Sequence, residues 1–202
     1  ATIAGVASLS GPHNAENGSA YAACLAALGL AEDEIAEGIA GFAGLPHRLQ
    51  TVASHGGISF VNDSKATNGV AAAKALAAFD NVYWIAGGEA KEDGLGEAAR
   101  KTAKVAHAYL IGNAAQAFAA ELDGIVETSL SGDLETATTS AFADASAATG
   151  TDGRDATILL SPAAASFDQF SSFVARGDAF TAIARRLVAD AGAAAVQGGA
   201  HA

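Results

Sequence analysis

Residues 58–79, ISFVNDSKATNGVAAAKALAAF, change period halfway. Ile58 to Asn62 form a short β-branched and aromatic run, the composition of a buried strand. Residues 68–79 are alanine-rich, with apolar positions at helical spacing. Between the two lie Asn62, Asp63, Ser64, Lys65, Thr67 and Asn68, a polar turn joining strand to helix. The unit recurs along the chain. VYWIA (82–86) precedes GEAARKTAKV (96–105), and AYLIG (108–112) precedes AAQAFAAEL (114–122). GIVETS (124–129) precedes LETATTSAFADAS (134–146), and ATILLS (156–161) precedes a helix ending near Leu187. Five strand-then-helix units predict an open, doubly wound α/β domain around a mostly parallel sheet.

The chain ahead of this pattern reads differently. Residues 14–29 are predicted helical, with Gly29 as a stop, and 31–41 form a second helix with Asp and Glu in its first turn. GLPHR (44–48) is a loop, broken by Pro46. This first third carries few candidate strands and cannot close a core alone, which places a boundary near residues 53–57. The closing stretch AAAVQGGAHA has no apolar period and is expected to be a flexible tail over 191–202.

Half of the 202 residues are hydrophobic, enough to bury a core. No apolar run approaches the ~18 residues of a membrane span, and no charged-then-apolar leader opens the chain. The single cysteine, Cys24 in YAACLAALGL, cannot form an internal bridge and is expected to be a small buried residue in a reducing cytoplasm. The net charge is −11, and the eleven Lys and Arg are scattered. That balance opposes nucleic-acid binding, which needs clustered cations.

In doubly wound sheets, ligands bind beyond the carboxyl ends of the strands. The residues after each predicted strand are NDSKATN, GGEAKEDG, Gly112-Asn113 and SPAAASFDQF. Each has a plain structural reading. Asp63 or Ser64 can cap a helix, Gly87-Gly88 can make a turn, Lys91 can be a solvated charge among acids, and Ser161-Pro162 signals a helix start. Together, two lysines and several hydroxyls at strand tips point to an anionic ligand. Other chemistries lack their motifs: there is no GxxxxGK[ST], no GxGxxG after a strand, and no GxSxG around Ser166. The five histidines (13, 47, 55, 107, 201) show no tight metal-ligand spacing. His13 and His47 sit in turns and read as hydrogen-bonded structural residues.

GPHNAEN, GLPHRLQTV, FVNDSKATN, WIAGGEAK and LLSPAAASFDQFSSFVARGDAF occur in that order. Together they resemble the Mur ligases of peptidoglycan synthesis over roughly residues 8–187. The resemblance implies an ATP-dependent amide-forming ligase that adds D-glutamate to UDP-N-acetylmuramoyl-L-alanine through an acyl phosphate. It implies three domains, of which this chain would hold the end of the central ATP-binding domain (1–54) and the Rossmann-like amino-acid domain (55–190). The phosphate loop and the Mg²⁺ ligands would lie upstream, so the chain alone is expected to be inactive. By motif, Asn14 and Asn17 resemble adenine-site residues, Arg48 the arginine that reaches the ATP phosphates, and Asp63 the ribose carboxylate. Lys65, Thr67, Lys91, Ser166, Phe167 and Phe173 resemble contacts to D-glutamate. Ala164 stands where many relatives carry Cys, which argues against an essential thiol. A monomer in the cytoplasm is expected. The alternative is a stand-alone Rossmann-like module that binds an acidic amino acid without chemistry.

Overall fold

The computed structural model describes residues 12–89 and 91–199. Six strands form one sheet: β1 (Gln50–His55), β2 (Ile58–Asn62), β3 (Val82–Gly87), β4 (Val105–Ile111), β5 (Thr128–Gly132) and β6 (Ala156–Leu160). Their spatial order is β1-β2-β6-β3-β4-β5. All pairs from β2 to β5 are parallel, with Phe60 opposite Ile158 and Tyr83 opposite the same residue on the other side. Four of the five strands read from the sequence coincide with β2, β3, β4 and β6, the remaining one lies at 128–132 rather than 124–129, and the fold is the α/β architecture expected.

Every residue of β3 and of β6 is buried, as centre strands covered on both faces must be. Alternate side chains enter two cores. Val61, Trp84, Leu110 and Leu159 pack against α3 (Gly69–Ala78) and α4 (Ala115–Leu122). Phe60, Ile85, Tyr109 and Ile158 face α5 (Leu134–Asp152) and α6 (Phe173–Gly199). Asn68 caps α3 by accepting the Ala71 N–H at 2.9 Å, and Asp133 caps α5 by accepting that of Thr136 at 2.7 Å.

The structure departs from the sequence reading in five places. First, β1 is an additional strand, antiparallel to β2 across a turn at Gly56-Gly57 with φ of 56° and 80°. The sheet therefore runs through 53–57, where the sequence placed a boundary. β1 escaped notice because QTVASH is polar and only half-buried, as an edge strand can be. Second, residues 96–105 hold no α-helix. Gly94 and Gly96, at φ 53° and 51°, flank the buried Leu95, and only a 3-10 turn follows at Ala98–Arg100. Third, no helix starts at Ser161-Pro162. Ala163 takes a left-handed φ of 57°, which a right-handed helix cannot include, and the N–H groups of Ala163 and Ala165 bond the Ala66 and Glu89 carbonyls in neighbouring loops. Fourth, residues 191–199 continue α6 rather than forming a separate tail, since their alanines sustain helix.

Fifth, Cys24 is exposed, not buried. It lies on α1 (Pro12–Ala27), which packs with α2 (Glu32–Ala40). Tyr21 on α1 and Leu28 in the turn after it are also exposed, so apolar side chains here face outward with no cover among the described residues. Among those residues no helix is long and apolar enough to cross a membrane.

Candidate functional site

The loops after β2, β3 and β6 meet at the carboxyl edge of the sheet, and one side chain from α6 joins them. Arg176 is 1% exposed. Its Nε donates to Ser64 Oγ at 3.0 Å, and Nη2 donates to the Ser64 and Ala164 carbonyls at 3.0 and 3.1 Å. Nη1 donates to the Ala165 carbonyl at 3.1 Å and to that of Gly87 at 3.4 Å. Burial pulls its pKa down to about 10, which leaves it charged at neutral pH. Sequence reading missed this residue. The available signal was a charge on the stripe shared by Phe173, Gly177 and Phe180, a face that should be apolar.

The tip of β2 is equally fixed. Asn62, fully buried, donates to the Gly177 carbonyl at 2.8 Å and lies 3.2 Å from His47 Nδ1; its Oδ1 accepts the Ser64 N–H at 3.1 Å. His47 is buried against Phe173, edge to face, which agrees with a structural role. Ser64 Oγ donates to the Phe173 carbonyl at 2.8 Å. Asp63, 7% exposed, accepts Ser161 Oγ–H on Oδ2 at 2.9 Å and the Leu49 N–H on Oδ1 at 3.3 Å. Ser161 in turn offers its carbonyl to the indole N–H of Trp84 at 2.8 Å. Desolvation pushes the Asp63 pKa from 3.8 up to about 7, against the opposing pull of Ser161, Leu49 and the Arg48 charge.

A cavity of about 650 Å³ opens beside Asp63. The N-terminal turns of α3 form one wall, the segment 91–97 a second, and Asn17, Phe42 and Leu45 from the amino-terminal part a third. Asn17, Arg48, Asp63, Lys65 and Lys91 all line it. So does Lys74, which the sequence reading did not single out. Arg48, Lys65, Lys74 and Lys91 are four of eleven Lys and Arg, yet none forms an ion pair among the described residues. Asp63, Asp93 and Glu97 line the same cavity without pairing these cations, so four cationic groups remain open to anionic groups of a ligand.

The other sequence candidates lie outside the cavity lining. Phe173 adjoins it, since the Lys65 ammonium sits 4.2 Å from its ring centroid. Thr67 is half-buried in the turn between Lys65 and Asn68. Ser166 is buried in the loop after β6, and Phe167 beside it is 70% exposed. Asn14 belongs to α1, but its side chain lies outside what the structure describes. Arg48 sits between His47 and Leu49, at φ 60° and 46°, so left-handed and strained backbone brackets it.

A parallel sheet with cations and a buried carboxylate gathered at its carboxyl edge defines a ligand-binding α/β domain of the doubly wound class. Residues 47–164 match the model of the Mur ligase glutamate ligase domain, more than half of the chain, and the chain belongs to the Mur ligase family. It is 48% identical over 189 residues to the UDP-N-acetylmuramoylalanine–D-glutamate ligase of Caulobacter vibrioides, covering 94% of this chain and 39% of that protein. Identity to the Rhizobium meliloti enzyme of the same name is 49% over 178 residues, covering 88% and 38%. The chain thus spans about two fifths of the length of these relatives, in their carboxyl-terminal portion. Among solved structures, UDP-N-acetylmuramate–alanine ligase MurC of Thermotoga maritima superimposes with a TM-score of 0.60 at 13% identity, covering 84% of this chain and 37% of that one. Folylpolyglutamate synthase of Mycobacterium tuberculosis gives 0.62 at 20%, covering 87% and 41%. These likenesses show the fold.

Two substitutions test the site's construction. Arg176→Met leaves several buried carbonyls without a donor and is expected to cost at least about 3 kcal/mol in urea unfolding. Asp63 carries a raised native pKa, so the folded state holds its proton between pH 4 and 7 while the unfolded state releases it. Its contribution is fully present below pH 4 and is lost as pH rises to about 7. Asp63→Asn removes that slope. Relative to wild type, the variant should gain about 2 kcal/mol between pH 5 and pH 8, read from unfolding curves at the two pH values. A parallel pH response of the two proteins would contradict the buried-acid account.

Proposed function

We propose that this chain supplies the amino-acid half of the site in an ATP-dependent ligase that joins D-glutamate to UDP-N-acetylmuramoyl-L-alanine. Family membership and the names of the relatives support the reaction. The observation that carries the residue assignments is the single cavity shared by Asn17, Arg48, Asp63, Lys65 and Lys91. A cavity of about 650 Å³ has the capacity of a typical small-molecule site. Asp63 uses one lone pair on each oxygen for Leu49 and Ser161, which leaves acceptor capacity for ribose hydroxyls. Arg48 is exposed at the cavity and suited to phosphate oxygens, and Asn17 to the edge of a base. Lys65 and Lys91 are assigned to the two carboxylates of D-glutamate, and Thr67, Ser166, Phe167 and Phe173 to the rest of the amino-acid side.

In the proposed reaction, a carboxylate oxygen of the muramoyl-alanine takes the γ-phosphoryl group of ATP, giving an acyl phosphate and ADP. The amine nitrogen of D-glutamate then attacks the acyl carbon. The C–N bond forms, the nitrogen loses a proton, and the C–O bond to phosphate breaks. This chain's cations hold the incoming amino acid and offset charge on the acyl and phosphoryl oxygens. Magnesium, when bound, would supply Lewis-acid stabilisation of charge on the phosphoryl group. Its ligands are proposed to lie in the part of the ligase outside this chain.

Residues 12–46 are assigned to the end of the central ATP-binding domain, and 47–190 to the amino-acid domain. The outward apolar face of α1 supports this, as does the start of the family match at residue 47. Strained backbone on both sides of Arg48 suits a hinge that closes one lobe on the other. The whole enzyme is proposed to act as a cytoplasmic monomer.

Two measurements test the reading. The 202-residue chain, given ATP, D-glutamate and UDP-N-acetylmuramoyl-L-alanine, should release no phosphate. In the intact ligase, Lys65→Ala should raise the KM for D-glutamate by at least about tenfold, with the KM for ATP little changed. An unaltered D-glutamate KM would remove Lys65 from the site.

A further inference from the structure

The wall of the cavity formed by residues 91–97 is held in place from outside the site. This segment supplies Lys91, Asp93, Gly94, Gly96 and Glu97 to the lining. With no α-helix between β3 and β4, its conformation is not fixed by a helical ladder. The Gly94 N–H closes a turn onto the Lys91 carbonyl at 3.1 Å. The next residue, Leu95, is fully buried in the core beneath α3 and α4. Its N–H is shared by the two carboxylate oxygens of Glu121 on α4, at 3.2 and 3.1 Å. A β-carbon on Gly94 would overlap that carboxylate, and one on Gly69 would overlap the Leu95 carbonyl. The turn that carries Lys91 is therefore clamped at its far end between Glu121 and the first residue of α3.

Glu121 is otherwise unoccupied. It is exposed and forms no ion pair among the described residues. A charge-assisted bond to a backbone N–H is stronger than a neutral one, and here it falls four residues from a cavity lysine.

We propose that Glu121 is a positioning residue for amino-acid recruitment: its carboxylate pins Leu95 and so fixes where the turn presents Lys91. The proposal deepens the ligase reading and rests on it. Glu121 lies outside the cavity lining and acts only through the segment it anchors.

The test uses the intact ligase for kinetics and this chain for amide exchange. Glu121→Ala is expected to raise the KM for D-glutamate about tenfold and to leave the KM for ATP within about twofold. Glu121→Gln keeps an oxygen that accepts the Leu95 N–H, so it should recover most of the loss. The Leu95 amide should exchange faster in the Ala variant and near the wild-type rate in the Gln variant. Faster exchange with an unchanged D-glutamate KM overturns the proposal, because the anchor would then exist without governing Lys91. Unchanged exchange, or equal losses in both variants, overturns it as well. Failure of the ligase reading shows separately, in a wild-type enzyme that forms no amide with D-glutamate.

Discussion

A guanidinium in the interior, without an ion-paired carboxylate among the described residues, is the constraint on which this domain edge depends. Removing an unpaired charge from water is expensive, and it is tolerated only where fixed dipoles replace hydration. Arg176 meets that condition with four carbonyl oxygens and one hydroxyl. Those acceptors come from three loops that are far apart in sequence. Each loop has surrendered a carbonyl to the same cation, so none can shift without exposing the others to an unsatisfied partner. The tips of β2, β3 and β6 consequently behave as one rigid body, and Lys65, Asp63 and Ser166 take their places from it.

Rigidity beneath the site contrasts with charge left unpaired above it. The protein is strongly acidic, yet the four cations around the cavity form no ion pair among the described residues, although Asp63, Asp93 and Glu97 line the same cavity. Pairing them internally would lower their attraction for an incoming anion and add a desolvation step to binding. On the proposed reading, the ligands bring the missing negative charge, and the second lobe brings the missing phosphate chemistry. Asp63 is the reverse case. It is an acid held where water is scarce, and the donors it already has, Ser161 and Leu49, only partly offset the cost of its charge.

Much of the fold was legible because most of the parallel strands are short apolar runs and four of the five are followed by an α-helix. β1 was illegible for the opposite reason: an edge strand needs no apolar pattern, and Gln50 to His55 shows none. The missing helix at 96–105 was a composition effect, since Ala, Glu, Lys and Arg favour helix on average while Gly94 and Gly96 fix the local backbone. In the site, the quoted motifs located Asn17, Arg48, Asp63, Lys65 and Lys91, which tertiary structure gathers into one cavity. Arg176 and Lys74 were hidden because their importance lies in what surrounds them. Lys74 looks like any other helix lysine in a linear sequence, and the one trace of Arg176 was a charge on an otherwise apolar stripe.

The chain contains one tryptophan, and its surroundings give it a use beyond packing. Trp84 is wholly buried, bonded through its indole to the carbonyl of Ser161, whose hydroxyl in turn bonds Asp63. Two hydrogen bonds thus separate the chain's dominant fluorophore from the carboxylate assigned to the ribose. Emission from this residue is an intrinsic optical gauge of events at that carboxylate, with no label attached and no competing indole to subtract.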